Sequence, residues 1–224
     1  MQRDAFVDLL MNRLGARTSS TLRDKIISEM VFVQENTLEG GDFLPWFLIT
    51  NDDTLVSVAS QEYINLPSDF IREWEDGGFW VNDSTDTVNP WKQLVRDDYD
   101  IIKKKSPPTT EDAPARYDRD GSRLLLRPIP DRVYSFDLWY YQQDSSLAGT
   151  YGDAGASEEN GWLQHASDWM LGEVGLLVYS LHLQGTNQNI IQLFQALKVM
   201  GQGRVYKRDT EWREANKYRQ MGDD

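Results

Sequence analysis

The chain of 224 residues contains no cysteine and only two histidines. A chain without thiols has no disulfide framework, no cysteine-ligated zinc and no thiol nucleophile. His165 and His182 lie nearly five turns apart in one predicted helical region, which is about 25 Å at the rise of an α-helix. They are therefore too far apart to hold one metal ion together. We expect structural roles for both histidines, and we expect neither a metal nor a cofactor.

Positive charge is also scarce: 23 Lys and Arg residues accompany 36 Asp and Glu residues, and the formal net charge is −13. Tight binding to nucleic-acid phosphates needs clustered cations, so this composition argues against it. No Lys or Arg occurs from 133 to 197, whereas residues 198–224 contain seven basic and five acidic residues. A basic tail on an acidic chain suggests docking to a complementary surface. Charge alone, however, favours the plainer interpretation of a solvated helix.

Long hydrophobic runs are missing as well. The most apolar stretch, residues 175–183, is far shorter than the roughly 20 residues that a membrane-spanning helix needs. Met1 leads directly into polar residues, without the apolar core of a signal peptide. We therefore expect a soluble protein that folds in a reducing compartment and has no membrane partner.

Both ends of the chain have the residue spacing of amphipathic helices. Asp4 is the expected N-cap of the first helix, and a second helix is expected to follow Ser19-Ser20-Thr21. Near the other end, Asn160 is expected to cap one long helix that starts at Trp162. The glycines of residues 201–203 are expected to end the helix that follows, before a final polar segment.

The middle of the chain has the pattern of short strands and turns. Residues 54–58 and 63–66 are β-prone runs separated by four residues, so they predict a hairpin. The strongest strand is predicted at 133–141, where apolar and polar side chains alternate. Together these patterns predict an α+β protein in which both chain ends build a helical bundle and the middle is a β-rich insertion, a small sandwich or barrel. The predicted helical domain comprises residues 1–42 and 149–224, and the insertion comprises residues 43–148.

The sequence offers no pattern of nucleophile, base or metal ligands that would indicate catalysis. Asp-Arg-Asp-Gly at 118–121 matches part of a calcium loop, but a strand pattern follows it, so a hairpin turn is the better interpretation. Asp97-Asp98 and Glu158-Glu159 are adjacent carboxylates, which do not face each other on a helix or a strand. We predict no catalytic residue. The alternative is a hydrolase with two carboxylates about 5–10 Å apart, a distance that sequence does not show.

Tryptophan is abundant for a chain of this length, with eight residues. Tryptophan is common both in cores and at the centres of interfaces, and the group as a whole is compatible with either role. Trp212 lies among charged residues near the C-terminus, so we expect it to lie at an interface.

Four short elements follow the two N-terminal helical segments in a fixed order. They are Leu-Pro-Ser-Asp-Phe-Ile at 66–71, Leu-Leu-Leu-Arg-Pro-Ile-Pro-Asp at 124–131, Phe-Asp-Leu-Trp-Tyr-Tyr at 136–141 and Gly-Trp-Leu at 161–163. Their order and spacing, from about Phe6 to Tyr218, resemble the head-to-tail adaptor (connector) proteins of tailed bacteriophages.

This resemblance implies a structural virion protein without enzymatic activity, made in the host cytoplasm and located at the neck between head and tail. It implies binding to the portal protein, a ring of copies of this chain (commonly a dodecamer), and docking of tail, nozzle or fibre proteins. DNA would pass through the ring without specific binding. The alternatives are another neck or tail component, such as a stopper or tail terminator, and a module that binds a small molecule or a peptide.

Within this interpretation, the basic tail is the candidate surface for the portal or a neighbouring subunit. The cation-free stretch is the candidate lining of the DNA channel, because acidic side chains repel phosphates. The assigned interface residues are Lys207, Arg208, Trp212, Arg213 and Tyr218. The assigned channel-facing acidic residues are Glu158, Glu159, Asp168 and Glu173.

Overall fold

The computed structural model describes residues 1–16, 19–74, 78–105, 110–152 and 159–220. The chain forms two compact units. The helical unit is Met1–Leu48 together with Asp144–Asp224, and the β-rich unit is Ile49–Gln143. The division into folding domains at 42–43 and 148–149 stays a prediction.

The helices belong to the helical unit, with one exception in the β-rich unit. They are α1 Arg3–Arg13, α2 Ser20–Phe32, α3 Tyr99–Lys105 (in the β-rich unit), α4 Gly161–His165, α5 Ser167–Leu177 and α6 Gln188–Gln220. Two of them continue into π-helical turns, α2 through Val33–Leu38 and α5 through Val178–His182.

The N-terminal helices form largely as their sequence predicts. Ser19 caps α2, because its hydroxyl accepts a hydrogen bond from the Leu22 N–H at 3.2 Å. The predicted apolar stripe of α2 is buried, with Ile26 and Met30 fully inaccessible to solvent. The prediction of Asp4 as the N-cap of α1 is wrong. Gln2 occupies that position, and the Asp4 carboxylate instead accepts a hydrogen bond from the Gly152 N–H at 2.7 Å.

The C-terminal helices differ from the sequence prediction in two places. Asn160 caps α4 as predicted, since its side chain accepts from the Leu163 N–H at 3.1 Å. The expected long helix is divided, however, because the backbone of Ala166 leaves the helical conformation between α4 and α5. The helix after it does not end at residues 201–203, since α6 runs without interruption for 33 residues.

Close packing of α5 against α6 explains why the glycines do not end α6. A Cβ atom at Gly201 would overlap the backbone of Trp169, and one at Gly172 would overlap the backbone of Lys198. Gly175 lies against the ring of Phe194 in the same way. These glycines let the two helices approach closely, and the contact offsets their low helix propensity, which costs about 1 kcal/mol per residue.

The β-rich unit contains two sheets. The first has the strand order β1-β9-β4-β5, with β3 also pairing with β9, and the second has the order β2-β8-β7-β6. The strands are β1 Ile49–Asp52, β2 Tyr63–Asn65, β3 Phe70–Glu73, β4 Phe79–Asn82, β5 Trp91–Gln93, β6 Val95–Arg96, β7 Arg116–Asp120, β8 Arg123–Arg127 and β9 Ser135–Gln142.

The predicted strand at 133–141 is confirmed as β9, the central strand of the first sheet. Its side chains alternate as predicted, with Phe136 and Leu138 fully buried and Ser135 exposed. These buried residues share one core with residues of the second sheet, among them Leu124 and Leu126 of β8. The two sheets therefore pack as a small sandwich.

One predicted hairpin is wrong and another is confirmed. Residues 54–58 form no strand, and only Val56 makes an isolated bridge, to Ser135. Strand β2 pairs instead with β8, which lies far along the chain. The segment at 118–121 does belong to a hairpin, since β7 and β8 pair across a turn at Gly121 and Ser122. The predicted fold class, α+β with a β-rich middle and helices at both ends, is confirmed.

Candidate interaction surface

The antiparallel pair α5 and α6 brings the acidic stretch and the basic tail into direct contact. Lys198 Nζ of α6 lies 3.0 Å from Glu173 Oε1 of α5. Nearly two turns further along α6 and nearer the start of α5, Arg204 forms an ion pair with Asp168. Charges that lie in separate regions of the sequence thus neutralise each other within the helical unit.

Two of the acidic residues predicted to line the channel, Glu159 and Glu173, also accept hydrogen bonds from donors of the protein itself. Glu159 Oε1 accepts a hydrogen bond from the N-terminal ammonium of Met1 at 2.6 Å. Glu173 additionally accepts a hydrogen bond from the Trp169 indole N–H at 3.2 Å, and its side chain is only 13% exposed. Glu158 lies outside the described residues. The assignment of these residues to a channel stays a prediction.

A small cavity of about 170 Å³ at the junction of α4 and α5 brings together residues from both predicted sets. Asp168 lies in its wall opposite Arg204 and Arg208, and His165 lies beside them. Burial and the nearby charge of Arg208 lower the pKa of His165 below its ordinary value. The His165 ring also packs on Phe47, with ring centroids 5.2 Å apart, which is consistent with the structural role expected for it.

The last turns of α6 carry the predicted interface residues. Lys207 and Arg208 are exposed, and none of the residues from 210 to 216 is buried. Trp212 is half-buried, and Tyr218 lies on the helix beyond it. Arg213 differs from the other cations, because its Nε donates a hydrogen bond to Asp209 Oδ2 at 2.7 Å and Asp209 is almost fully buried. Arg213 thus stabilises a buried carboxylate within the helix.

Tryptophan occurs both in the core and at the surface, and a role at an interface stays a prediction. Trp162 and Trp169 are buried in the helical unit, with their rings 5.9 Å apart in an edge-to-face contact. In the β-rich unit, Trp80 and Trp91 are 36% and 41% exposed on neighbouring strands. The strand pattern contained a signal for Trp80, since it alternates with the buried Phe79 and Val81.

A buried polar network links three parts of the helical unit. Glu39 Oε1 accepts hydrogen bonds from Gln34 Nε2 and Trp162 Nε1, both at 2.9 Å, and Asn160 Nδ2 donates to Gln34 Oε1 at 3.2 Å. Glu39 Oε2 is buried and has no hydrogen-bond partner among the described residues. Burial is the dominant influence on this carboxyl and raises its pKa above the ordinary value of 4.5. Sequence patterns gave no sign of this network, because its members are far apart along the chain.

The residues considered for catalysis lie in several places, and Asp118 and Asp120 line one open cavity of about 280 Å³ together with Glu62. Asp97 forms an ion pair with Arg116, and His182 Nε2 lies 2.8 Å from Glu29 Oε1. Within the described ranges, no cluster of three or more His, Asp or Glu side chains is arranged to hold a metal ion. Over the same ranges, none of the helices has the combination of length and apolar character that spanning a membrane requires.

Comparison with known proteins identifies the family. The model of the SU10 adaptor protein family matches residues 28–216, from the second half of α2 to the exposed end of α6. A search of curated protein sequences gave no match. The family match confirms the resemblance to bacteriophage head-to-tail adaptors that the order of sequence elements suggested. Because the match covers most of the chain and both compact units, this chain belongs to the SU10 adaptor protein family, a family of structural phage proteins found in the virion.

Proposed function

We propose that this chain binds the portal ring at the neck of the virion and forms a ring that continues the DNA channel. The same ring then serves as a docking platform for tail proteins. The observation that carries this proposal is membership of the adaptor family over residues 28–216.

The end of α6 supports a docking role. At 33 residues, α6 is about 50 Å long, whereas the 11 residues of α5 extend for about 17 Å. The start of α5 meets α6 near Arg204, so the residues of α6 beyond Asp209 pass the end of their partner helix. The half-buried Trp212 and the exposed Arg208 are residue types that are enriched at interfaces, and the exposed Lys207 adds a second positive charge to this end.

The overall charge of the chain supports a passive DNA conduit. A net charge of −13 per copy repels phosphates at long range, so DNA would slide through a ring without being held. Since Asp168, Glu173 and Glu159 are each paired with a cation, this repulsion comes from the summed charge of the copies more than from these side chains.

Mixing the purified chain with portal rings of the same phage and weighing the complexes by native mass spectrometry tests the proposal. We expect a fixed number of copies per portal ring. The double variant Lys207→Glu with Arg208→Glu should weaken binding at least tenfold, because it reverses two exposed charges at the end of α6. Arg213 is left unchanged, since its loss would leave the buried Asp209 without its hydrogen-bond donor.

The matched control is Arg13→Glu with Lys25→Glu, which makes the same change in net charge at exposed sites on α1 and α2. An equal loss of binding in the control would show that total charge, and not the end of α6, governs the interaction. Binding only to a portal that already carries an adaptor ring would identify a stopper instead.

A further inference from the structure

A cavity of about 550 Å³ lies in the β-rich unit, where the chain passes from β5 in one sheet to β6 in the other. Its wall is built from three separate segments of the chain. Arg72, Glu73 and Trp74 come from β3 and the residue after it, Arg96 comes from β6, and Tyr117 and Arg119 come from β7. The cavity is far from the predicted interface residues in sequence, and the function proposed above makes no use of it.

The described wall of this cavity contains more positive than negative charge. It has three guanidinium groups and one carboxylate, in a chain whose net charge is −13. The guanidinium groups approach the cavity from different strands, so the excess arises from the fold and not from a basic run in the sequence. An anionic group is the ligand that such a wall favours.

Two of the guanidinium groups are held in position by neighbouring side chains. Arg96 Nη1 donates a hydrogen bond to Glu73 Oε2 at 3.1 Å. Arg119 lies over the ring of Phe70, 4.9 Å from its centroid, and its Nε donates to the Gly121 carbonyl at 3.1 Å. A guanidinium has five N–H donors, so both groups keep donors that no protein acceptor in the described residues uses.

Glu73 adds an acceptor to this set of donors. Its Oε2 accepts hydrogen bonds from Arg96 and from the Tyr117 hydroxyl, both at 3.1 Å. Its Oε1 is buried without a hydrogen-bond partner in the described part of the chain. A buried acceptor without a donor costs free energy, and a ligand that carries an N–H group would relieve that cost.

We propose that this cavity binds an acidic segment of a partner polypeptide. A peptide offers both groups that the wall needs, since its Asp or Glu carboxylates accept from Arg96 and Arg119 and its backbone N–H donates to Glu73. A phosphodiester backbone has acceptors for Arg96 and Arg119 but no N–H donor for Glu73. Stacking of a nucleic-acid base is also disfavoured, because Trp74 and Tyr117 are each only 6% exposed.

Nuclear magnetic resonance of the full chain tests this site with a defined probe, the peptide acetyl-Gly-Asp-Gly-Asp-Gly-Asp-amide. We expect saturable shifts of the Trp74 indole and Val95 amide signals at low ionic strength. Arg119→Gln should weaken binding about tenfold, the usual effect of losing a hydrogen bond to a charged group. Arg96→Gln should weaken it similarly.

Arg123→Gln is the matched control for Arg119→Gln. Arg123 is exposed on β8, lies over the Tyr63 ring at 4.4 Å, and takes no part in the cavity wall. The Arg123→Gln variant should bind the peptide as tightly as the unmodified chain does. A thermal melt of each variant should show that the variant is folded.

Three results would overturn the proposal. The first is an absence of shifts at Trp74 and Val95 with millimolar peptide. The second is an equal loss of binding in Arg123→Gln, and the third is equal or tighter binding of inorganic phosphate or of the uncharged peptide acetyl-Gly-Asn-Gly-Asn-Gly-Asn-amide. Portal binding is measured separately and should be unchanged in Arg119→Gln, so failure of this site leaves the adaptor proposal intact.

Discussion

The helical unit and the β-rich unit both pair cations with acidic side chains, but they place those cations differently. In the helical unit, Lys198 and Arg204 of α6 pair with acidic residues of α5, and charges from two regions of the sequence cancel. In the β-rich unit, Arg96 and Arg119 line a cavity whose described wall contains three guanidinium groups and one carboxylate. A run of like charges along the chain therefore does not indicate a charged surface. Conversely, arginines from separate strands of a chain that is acidic overall line one cavity.

The two units also obtain their packing differently. The sandwich is filled by large side chains, such as Phe136 and Phe79, whose ring centroids lie 5.3 Å apart. The α5–α6 contact depends instead on residues without a side chain, because Gly172 and Gly201 allow the two helix backbones to approach. A smaller side chain in the core should therefore destabilise the β-rich unit, and a larger residue in place of one of these glycines should destabilise the helical unit.

The largest effect is expected from Phe136→Ala in the sandwich. Phe136 is fully buried in the core shared by both sheets, and replacing such a residue costs about 3–5 kcal/mol of unfolding free energy. Urea unfolding followed by tryptophan fluorescence and by far-ultraviolet circular dichroism measures this loss. Val133→Ala, at a position that is 65% exposed, should change stability by less than about 0.5 kcal/mol.

The same experiment sharpens the comparison of the two units. If they fold independently, Phe136→Ala should shift the unfolding of the β-rich unit and leave most of the helical signal at its original midpoint. A single transition, shifted as a whole, would contradict independent folding.

Smaller changes in unfolding free energy are expected in α6, where alanine should destabilise the chain at Gly201 and stabilise it at Gly203. Gly201→Ala should destabilise the chain by about 2 kcal/mol, because the added Cβ overlaps the backbone of Trp169. Gly203→Ala should stabilise it by about 0.5–1 kcal/mol, since no atom lies within 4 Å of the added Cβ and alanine favours helix. Urea midpoints measure both changes. Stabilisation by both substitutions would show that the close approach at Gly201 is unimportant.

The pH dependence of stability should change in Glu39→Gln. Burial raises the pKa of Glu39, so the folded chain holds this proton more tightly than the unfolded chain does. The resulting stabilisation is complete below the ordinary pKa of 4.5 and is lost as the pH rises through the higher value of the folded state. The variant has no such proton, so its stability relative to the unmodified chain should increase as the pH rises above 4.5.

Urea unfolding at intervals between pH 4 and pH 8 measures the difference in unfolding free energy between Glu39→Gln and the unmodified chain. Titrating groups that both proteins share contribute almost equally to the two free energies, so they largely drop out of the difference. Asp144, whose pKa is also raised by burial, stays in both proteins and is coupled to Glu39. Parallel stability curves for the two proteins would mean that Glu39 titrates alike in the folded and unfolded states.

The smallest effect is expected from Arg204→Gln at the α5–α6 contact. Arg204 and Asp168 are 60% and 38% exposed, and ion pairs this exposed contribute less than about 1 kcal/mol. Thermal melts at low and high salt measure it, and the difference from the unmodified chain should shrink as salt screens the pair. A larger, salt-independent loss would indicate a packing role for this side chain.

Much of the local structure was predictable because its causes are local. The caps Ser19 and Asn160 act within one turn of their helices, and the alternation of β9 reports two faces of a single strand. The path of α6 through residues 201–203 was not predictable, since a contact with a distant helix outweighs the low helix propensity of glycine there. Similarly, β2 looked like half of a local hairpin, but pairing with β8 buries Ile64 in the shared core.

The amino-acid sequence by itself determined the class of this protein: helical ends, a β-rich middle, and an order of elements typical of phage adaptors. Periodicity, capping and turn residues act over a few neighbouring positions, so they can be identified without the fold. Only the tertiary structure decided that Asp168 and Arg204 neutralise each other and that Arg96 and Arg119 share a cavity with Glu73. Electrostatic interaction depends on distance in space, and that distance is set by packing between segments that are far apart in the chain.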